Sequence, residues 1–124
     1  MKLYPITENH LYIKTFTKGK RAGTKLFSVC VLKDYKAEKL RRANPQKEFL
    51  NRVGLSVGKK VGNAVTRNRV KRILREGYRQ IDKEIGVRRG YLVVIAPREA
   101  CALATAEDVK RDMRYALGKL GMLK

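Results

Sequence analysis

The sequence predicts a small α+β fold, an α/β sandwich in which a central sheet is flanked by helices. Three observations carry this. "KLFSVCVL" at residues 25–32, "RVGLSVG" at 52–58 and "GYLVVIAP" at 90–97 have the alternating or continuous apolar character of short strands. The segments that follow Asn63 and Thr105 instead repeat apolar residues at helical spacing. Over the 124 residues there is no internal repeat, low-complexity tract or linker, so one domain spans 1–124. In chain order the elements read helix, strand, strand, helix, strand, helix.

The first helix carries Leu11, Tyr12, Ile13 and Phe16, with Thr7 or Asn9 as a cap and Gly19 as a stop. "KGKRAGTK" then reads as a basic, turn-rich connector. The first strand places Phe27, Val29 and Val31 on one side and Ser28 and Cys30 on the other. Residues 33–49 are charged and contain Pro45, which suits a solvated connection in which "AEKLRRA" could form a turn or two of helix. In the second strand Val53, Leu55 and Val57 alternate with Gly54, Ser56 and Gly58, so one face is bare of large side chains and open to a close neighbour. The third strand is apolar on both faces, as a central strand must be, and Pro97 ends it. "TAED" at 105–108 has the form of a capping box, opening a helix whose Val109, Met113, Ala116, Leu117 and Leu120 face the sheet.

The helix between the second and third strands is unusual. At about 100° per residue, Val70, Ile73, Leu74, Gly77 and Ile81 form one apolar stripe. Asn68, Arg72, Arg75 and Arg79 gather opposite, flanked by Arg69 and Lys71, with Arg67 near the border. A solvated helix normally interleaves acids at i,i+4, whereas here Glu76 stands alone in "KKVGNAVTRNRVKRILRE". Such a ridge repels itself until a polyanion meets it, and the planar guanidinium suits phosphate and base stacking better than lysine does. The turn before it, "GKKVGN", offers glycines and Lys59 and Lys60 beside a helix start, where phosphate can sit. It lacks the Gly-Lys-Ser/Thr ending of a nucleotide-hydrolysing loop.

Composition points the same way. There are 30 Lys+Arg against 11 Asp+Glu, a net charge of +19, whereas solubility needs only about 2 to 8. The longest apolar run, "YLVVIA", is far shorter than the roughly 20 residues of a membrane span, and "MKLYPITENH" lacks the apolar stretch of a signal peptide. No membrane partner and a cytoplasmic location are therefore expected. Cys30 and Cys101 have no C-x-x-C spacing, which argues against zinc and, in a reducing compartment, against a disulfide. His10 is the sole histidine, and Asp108 and Asp112 suit the start of a helix, so no catalytic residue and no bound metal are expected on the chain. A helix-turn-helix DNA regulator fits poorly, because the basic helix follows a strand, and DNA is not an expected partner.

"RVGLSVGKKVGNAVTRNRVKRILREGYR", residues 52–79, with its Arg67-Asn68-Arg69 triplet, closely resembles the signature of the bacterial ribonuclease P protein subunit, and the likeness extends loosely over nearly the whole chain. The resemblance implies a left-handed β-α-β crossover, which breaks the usual right-handed rule. It also implies the small subunit of a ribonucleoprotein that removes the 5′ leader from precursor tRNA, with a catalytic RNA using Mg²⁺ for the hydrolysis. The segment Lys59, Lys60, Asn63, Arg67, Asn68, Arg69, Lys71, Arg72 and Arg75 matches the part that docks on that RNA. A cleft between the first helix and the open sheet face, matching Tyr12, Phe16, Ser28, Cys30 and Ser56 with Arg67 and Asn68 at its edge, looks like the path of the leader. Gly58 where the family commonly has serine, Tyr78 where phenylalanine is frequent, Cys30 where some members have an aromatic, and a long 33–49 connection depart from the pattern.

Overall fold

The computed structural model describes residues 4–34, 39 and 51–124. Strands β1 (Tyr4–Pro5), β2 (Lys20–Gly23), β3 (Phe27–Lys33), β4 (Arg52–Leu55) and β5 (Tyr91–Pro97) form one sheet in the order β1-β4-β5-β3-β2. Helices α1 (Asn9–Lys18), α2 (Ala64–Glu84) and α3 (Ala106–Lys119) cover it. As the apolar run of β5 requires, it lies in the middle, antiparallel to β3 and parallel to β4. Since β4 and β5 are parallel neighbours, the chain needs a crossover between them, and α2 is that crossover.

Period-two alternation divides the sheet into two faces. Phe27, Val29, Val31, Val53, Val93 and Ile95 pack under α2 and α3, meeting Val70, Leu74, Tyr78 and Ile81 of the first and Val109, Met113, Ala116 and Leu117 of the second. Each large apolar side chain removed from water in this way stabilises the fold by roughly 1.5–3 kcal/mol. Gly77 allows the two helices to touch, because a Cβ there would lie 3.0 Å from Val109 Cγ1. The opposite face is smaller: Ile6, Leu92 and Val94 pack with Leu11, Tyr12, Phe16 and Leu32, so among the described residues it is α1 that covers that side.

Buried polar groups fasten the joints. Asn51 Nδ2 donates to Tyr78 Oη at 3.0 Å and to the Arg88 carbonyl at 2.8 Å, while its Oδ1 accepts from the Tyr91 amide at 2.9 Å. Asp82, buried at the end of α2, accepts from the Val87 amide at 3.0 Å and from Arg89 at 2.9 Å. Arg52 grips Asp34 through two bonds of 2.7 and 2.9 Å, joining the start of β4 to the end of β3. The expected capping box closes α3, with Asp108 N–H donating to Thr105 Oγ1 at 3.2 Å and Thr105 N–H donating to Asp108 Oδ2 at 3.1 Å.

Three local expectations are corrected. The cap of α1 is Glu8, whose carbonyl accepts from the Leu11 amide at 3.1 Å, and neither Thr7 nor Asn9 fills that place. The basic connector contains β2: only Ala22 is buried there, so the strand has almost no apolar signature and exists through pairing with β3. Thr24 closes that hairpin, its hydroxyl accepting from the Phe27 amide at 3.1 Å. Strand β4 stops at Leu55, although the Ser56 amide still donates to the Ile95 carbonyl at 2.9 Å. The expected 33–49 connection lies largely outside the described residues.

Candidate nucleic-acid interface

The chain leaves β4 through Ser56 and makes a 3-10 turn at Lys59–Val61. Gly62 follows with φ 149°, a conformation that side-chain-bearing residues rarely adopt, and it delivers the backbone into the start of α2. Asn63 caps that start, its Oδ1 accepting from the Thr66 amide at 2.9 Å. Val61 is buried, which anchors the turn and leaves Lys59 and Lys60 exposed. The helix dipole and these ammonium groups thus favour an anion at the same end of α2.

Along α2 the burial of Val70, Leu74, Gly77, Tyr78 and Ile81 fixes the rotation of the opposite face. Asn68, Arg72 and Arg75 are exposed and Lys71 is half-buried. Among the described residues, Lys59, Lys60, Lys71, Arg72 and Arg75 form no ion pair, and Arg79 meets Glu76 at 3.6 Å. The mutual repulsion of this ridge is therefore left almost uncompensated among the described residues.

The two arginines of the triplet differ from the exposed Arg72 and Arg75, which are unbonded among the described residues. Arg69 is exposed along its stem, yet its Nη1 donates to the Ala102 carbonyl at 2.9 Å and its Nη2 to the Ala104 carbonyl at 2.7 Å. It fastens the 3-10 turn Glu99–Leu103 to α2, a role that helical spacing could not disclose. Arg67 is half-buried, and its Nε is shielded from solvent without a hydrogen-bond partner. A buried unpaired donor is costly, and an acceptor brought by a ligand would relieve it.

The second set of residues gathers on the face beneath α1. The smooth side of β4 receives Tyr12: a Cβ on Gly54 would lie 2.6 Å from the ring. The Tyr12 hydroxyl donates to the Ile6 carbonyl at 3.3 Å, and Tyr12 and Phe16 are both half-buried against Leu92 and Val94. Ser28 is half-buried and Ser56 exposed. Cys30 is only 1% exposed, so it forms floor and offers no surface of its own. Above it, Arg21 pairs across the strands and its Nε donates to Cys30 Sγ at 3.4 Å. This exposed cation belongs to the same sheet face, and the alternation Arg21-Ala22 was the sole sequence signal for it.

The sheet separates the two sets. Tyr12, Phe16, Ser28 and Cys30 lie on the α1 face and the α2 ridge on the other, and the chain passes from one to the other at the end of β4, where Ser56 leads into the turn before Arg67 and Asn68. One strand end therefore links an aromatic-bearing face to a cationic one. Burial raises the Cys101 thiol to about 11, so this cysteine is an inert core group.

The profile of the family described as Ribonuclease P matches residues 1–121. Among curated proteins, the ribonuclease P protein component of Bacillus cereus (strain 03BB102) is 36% identical over 98% of this chain and 94% of its own length. That of Bacillus cereus (strain Q1) is 33% identical over the same shares. A solved Staphylococcus aureus RNase P protein superposes with a TM-score of 0.77 at 23% identity, covering 99% of this chain and all of that one. The Thermotoga maritima RNase P protein gives 0.66 at 22% identity over 97% and 96%. At those identities the two superpositions speak for the fold, and the family follows from the sequence matches: the chain belongs to the ribonuclease P protein family.

Proposed function

We propose that the chain is the protein subunit of a bacterial ribonuclease P ribonucleoprotein, promoting endonucleolytic removal of the 5′ leader from precursor tRNA while the RNA subunit carries the chemistry. The observation that carries this reading is the acid-poor guanidinium face of α2, on a chain whose opposite sheet face carries half-buried aromatics under α1. The α2 ridge, with Lys59, Lys60 and Arg72, docks on the catalytic RNA. The leader runs over the α1 face, where each aromatic ring that stacks a base contributes roughly 1–3 kcal/mol without demanding a sequence.

The protein positions and does not cut. Cations from Lys59 to Arg75 lower the repulsion between closely packed phosphate strands, and a held leader brings the scissile bond to the RNA active site as an intramolecular partner. Among the described residues no three His, Cys, Asp or Glu side chains gather to hold a cation, and Mg²⁺ belongs in this proposal to the RNA. No described helix is long and apolar enough to cross a membrane, and the reading places the particle in the cytoplasm with tRNA precursors.

The test mixes the chain with a bacterial ribonuclease P RNA and a precursor tRNA at low Mg²⁺. Leader removal that requires both components is the expected result. Cleavage by the protein alone would favour a protein nuclease, and absence of stimulation would reduce the chain to a general RNA binder.

A further inference from the structure

Helix α3 carries a second polar and aromatic surface that the reading above leaves unused. Arg111, Arg114, Tyr115, Gly118 and Lys119 recur at i, i+3 and i+4 on its outer side, and with Leu123 they line an open recess of about 450 Å³. The recess lies on the side of the sheet opposite α1, on the helix that packs against α2.

Two features distinguish it from an ordinary solvated helix face. Tyr115 is 58% exposed, whereas Tyr12, Phe16, Phe27, Tyr78 and Tyr91 are buried or half-buried. Gly118 is not demanded by the fold: its φ is not positive, and a Cβ there would meet only Leu123 Cδ1 at an ordinary 3.6 Å. Glycine weakens a helix interior, so what it supplies here is the space itself. Gly77 is the contrast, since a Cβ there presses on Val109.

The charge is cationic on balance. Arg111 is held by Asp108 at 3.6 Å and Asp112 at 3.5 Å, but Arg114 and Lys119 form no ion pair among the described residues. An aromatic plane bounded by two unpaired cations matches the base and phosphate of one nucleotide in a flexible strand. The deep, narrow major groove of an RNA duplex is closed to side chains, whereas the unstacked bases of a single strand can reach an exposed ring, which favours single-stranded over duplex RNA.

We propose that the α3 recess is a second seat for single-stranded RNA, with a base against Tyr115 and the adjoining phosphate held by Arg114 and Lys119. It would hold a stretch of RNA away from the leader path, and it stands or falls separately from docking through α2.

The experiment titrates tetrauridylate into the whole isotopically labelled chain and follows backbone amide shifts. Two groups of shifting amides are expected, one around residues 12–30 and one over 111–123. Gly118→Leu, whose Cβ has room at 3.6 Å from Leu123 Cδ1, should fill the recess and abolish only the second group, and Tyr115→Ala should weaken it about tenfold. Arg72→Ala, on α2, should leave it unchanged. No shifts at 111–123, or shifts that survive Gly118→Leu, would overturn the proposal. So would equal shifts from inorganic tripolyphosphate, which has no base, or a response of this face to phosphatidylglycerol vesicles but not to RNA. Since all three altered positions are exposed, thermal melting close to wild type verifies that folding is intact.

Discussion

The ring of Tyr12 sits against Gly54, so close that a single methyl group on β4 would stand 2.6 Å from its Cε1 and Oη. The missing side chain of a strand thus sets the height of an aromatic carried by a helix, and with it the depth of the groove on the α1 face. Gly54→Ala should push the ring outward, break the Tyr12–Ile6 bond and destabilise the fold by about 1–3 kcal/mol through overpacking. Leader-bearing precursor should then bind about three- to tenfold more weakly, a share of one stacking interaction. Urea unfolding and filter binding check the two effects.

Phe16 stands one helical turn from Tyr12 and is half-buried on the same apolar patch. Phe16→Ala should weaken holoenzyme binding of precursor tRNA about tenfold while leaving mature tRNA nearly unaffected, since only the precursor has a leader to stack. Equal losses for both would assign the ring to packing alone.

Arg72 and Arg75 are exposed and form no ion pair among the described residues, whereas Arg69 is tied to two carbonyls. The double change Arg72→Ala and Arg75→Ala should therefore lower the slope of log affinity against log salt by about 1.4–1.8 with no loss of stability. Arg69→Ala should instead release the 99–104 turn and destabilise the chain by about 1–3 kcal/mol as well as weakening RNA binding. Affinity for the catalytic RNA between low and moderate salt, beside thermal melting, separates the two kinds of arginine.

Burial raises the Tyr78 hydroxyl from its ordinary value near 10 to about 12, with Asn51 donating to it. The unfolded chain loses that proton first, so the folded state binds more protons between about pH 10 and 12. Stability is then fully present below pH 10 and falls across that window, by up to about 1.4 kcal/mol per pH unit from this group. Tyr78→Phe should remove that part of the slope while destabilising the protein at neutral pH by about 1–3 kcal/mol, because an Asn51 N–H loses its acceptor. Paired urea titrations at pH 8 and 11 report both effects.

Strong periodicity was readable. The apolar stripe of α2, the capping box of Thr105 and Asp108 and the central place of β5 all follow from residue spacing, because burial on one face leaves a repeating mark. Strand β2 left none, since its neighbours across the sheet rather than its own side chains hold it in place. The site was legible to the same extent. The outward rotation of Arg72 and Arg75 came from helix geometry, but the bonds of Arg69 to Ala102 and Ala104 join residues more than thirty apart. The smooth face of β4 was visible as a gap, and only the fold reveals that Tyr12 fills it.

Among the described residues strand β2 also ends the sheet, leaving its outer edge without a partner strand. Such an edge invites a second molecule to extend the ladder, yet Lys20 and Arg21 stand exposed along it, and two approaching copies would bring like charges together without an intervening acid. The opposite border is protected differently, by a two-residue strand containing Pro5. A surplus of positive charge thus guards newly made chains against mutual fibrillation during the interval before any nucleic acid is at hand to neutralise them.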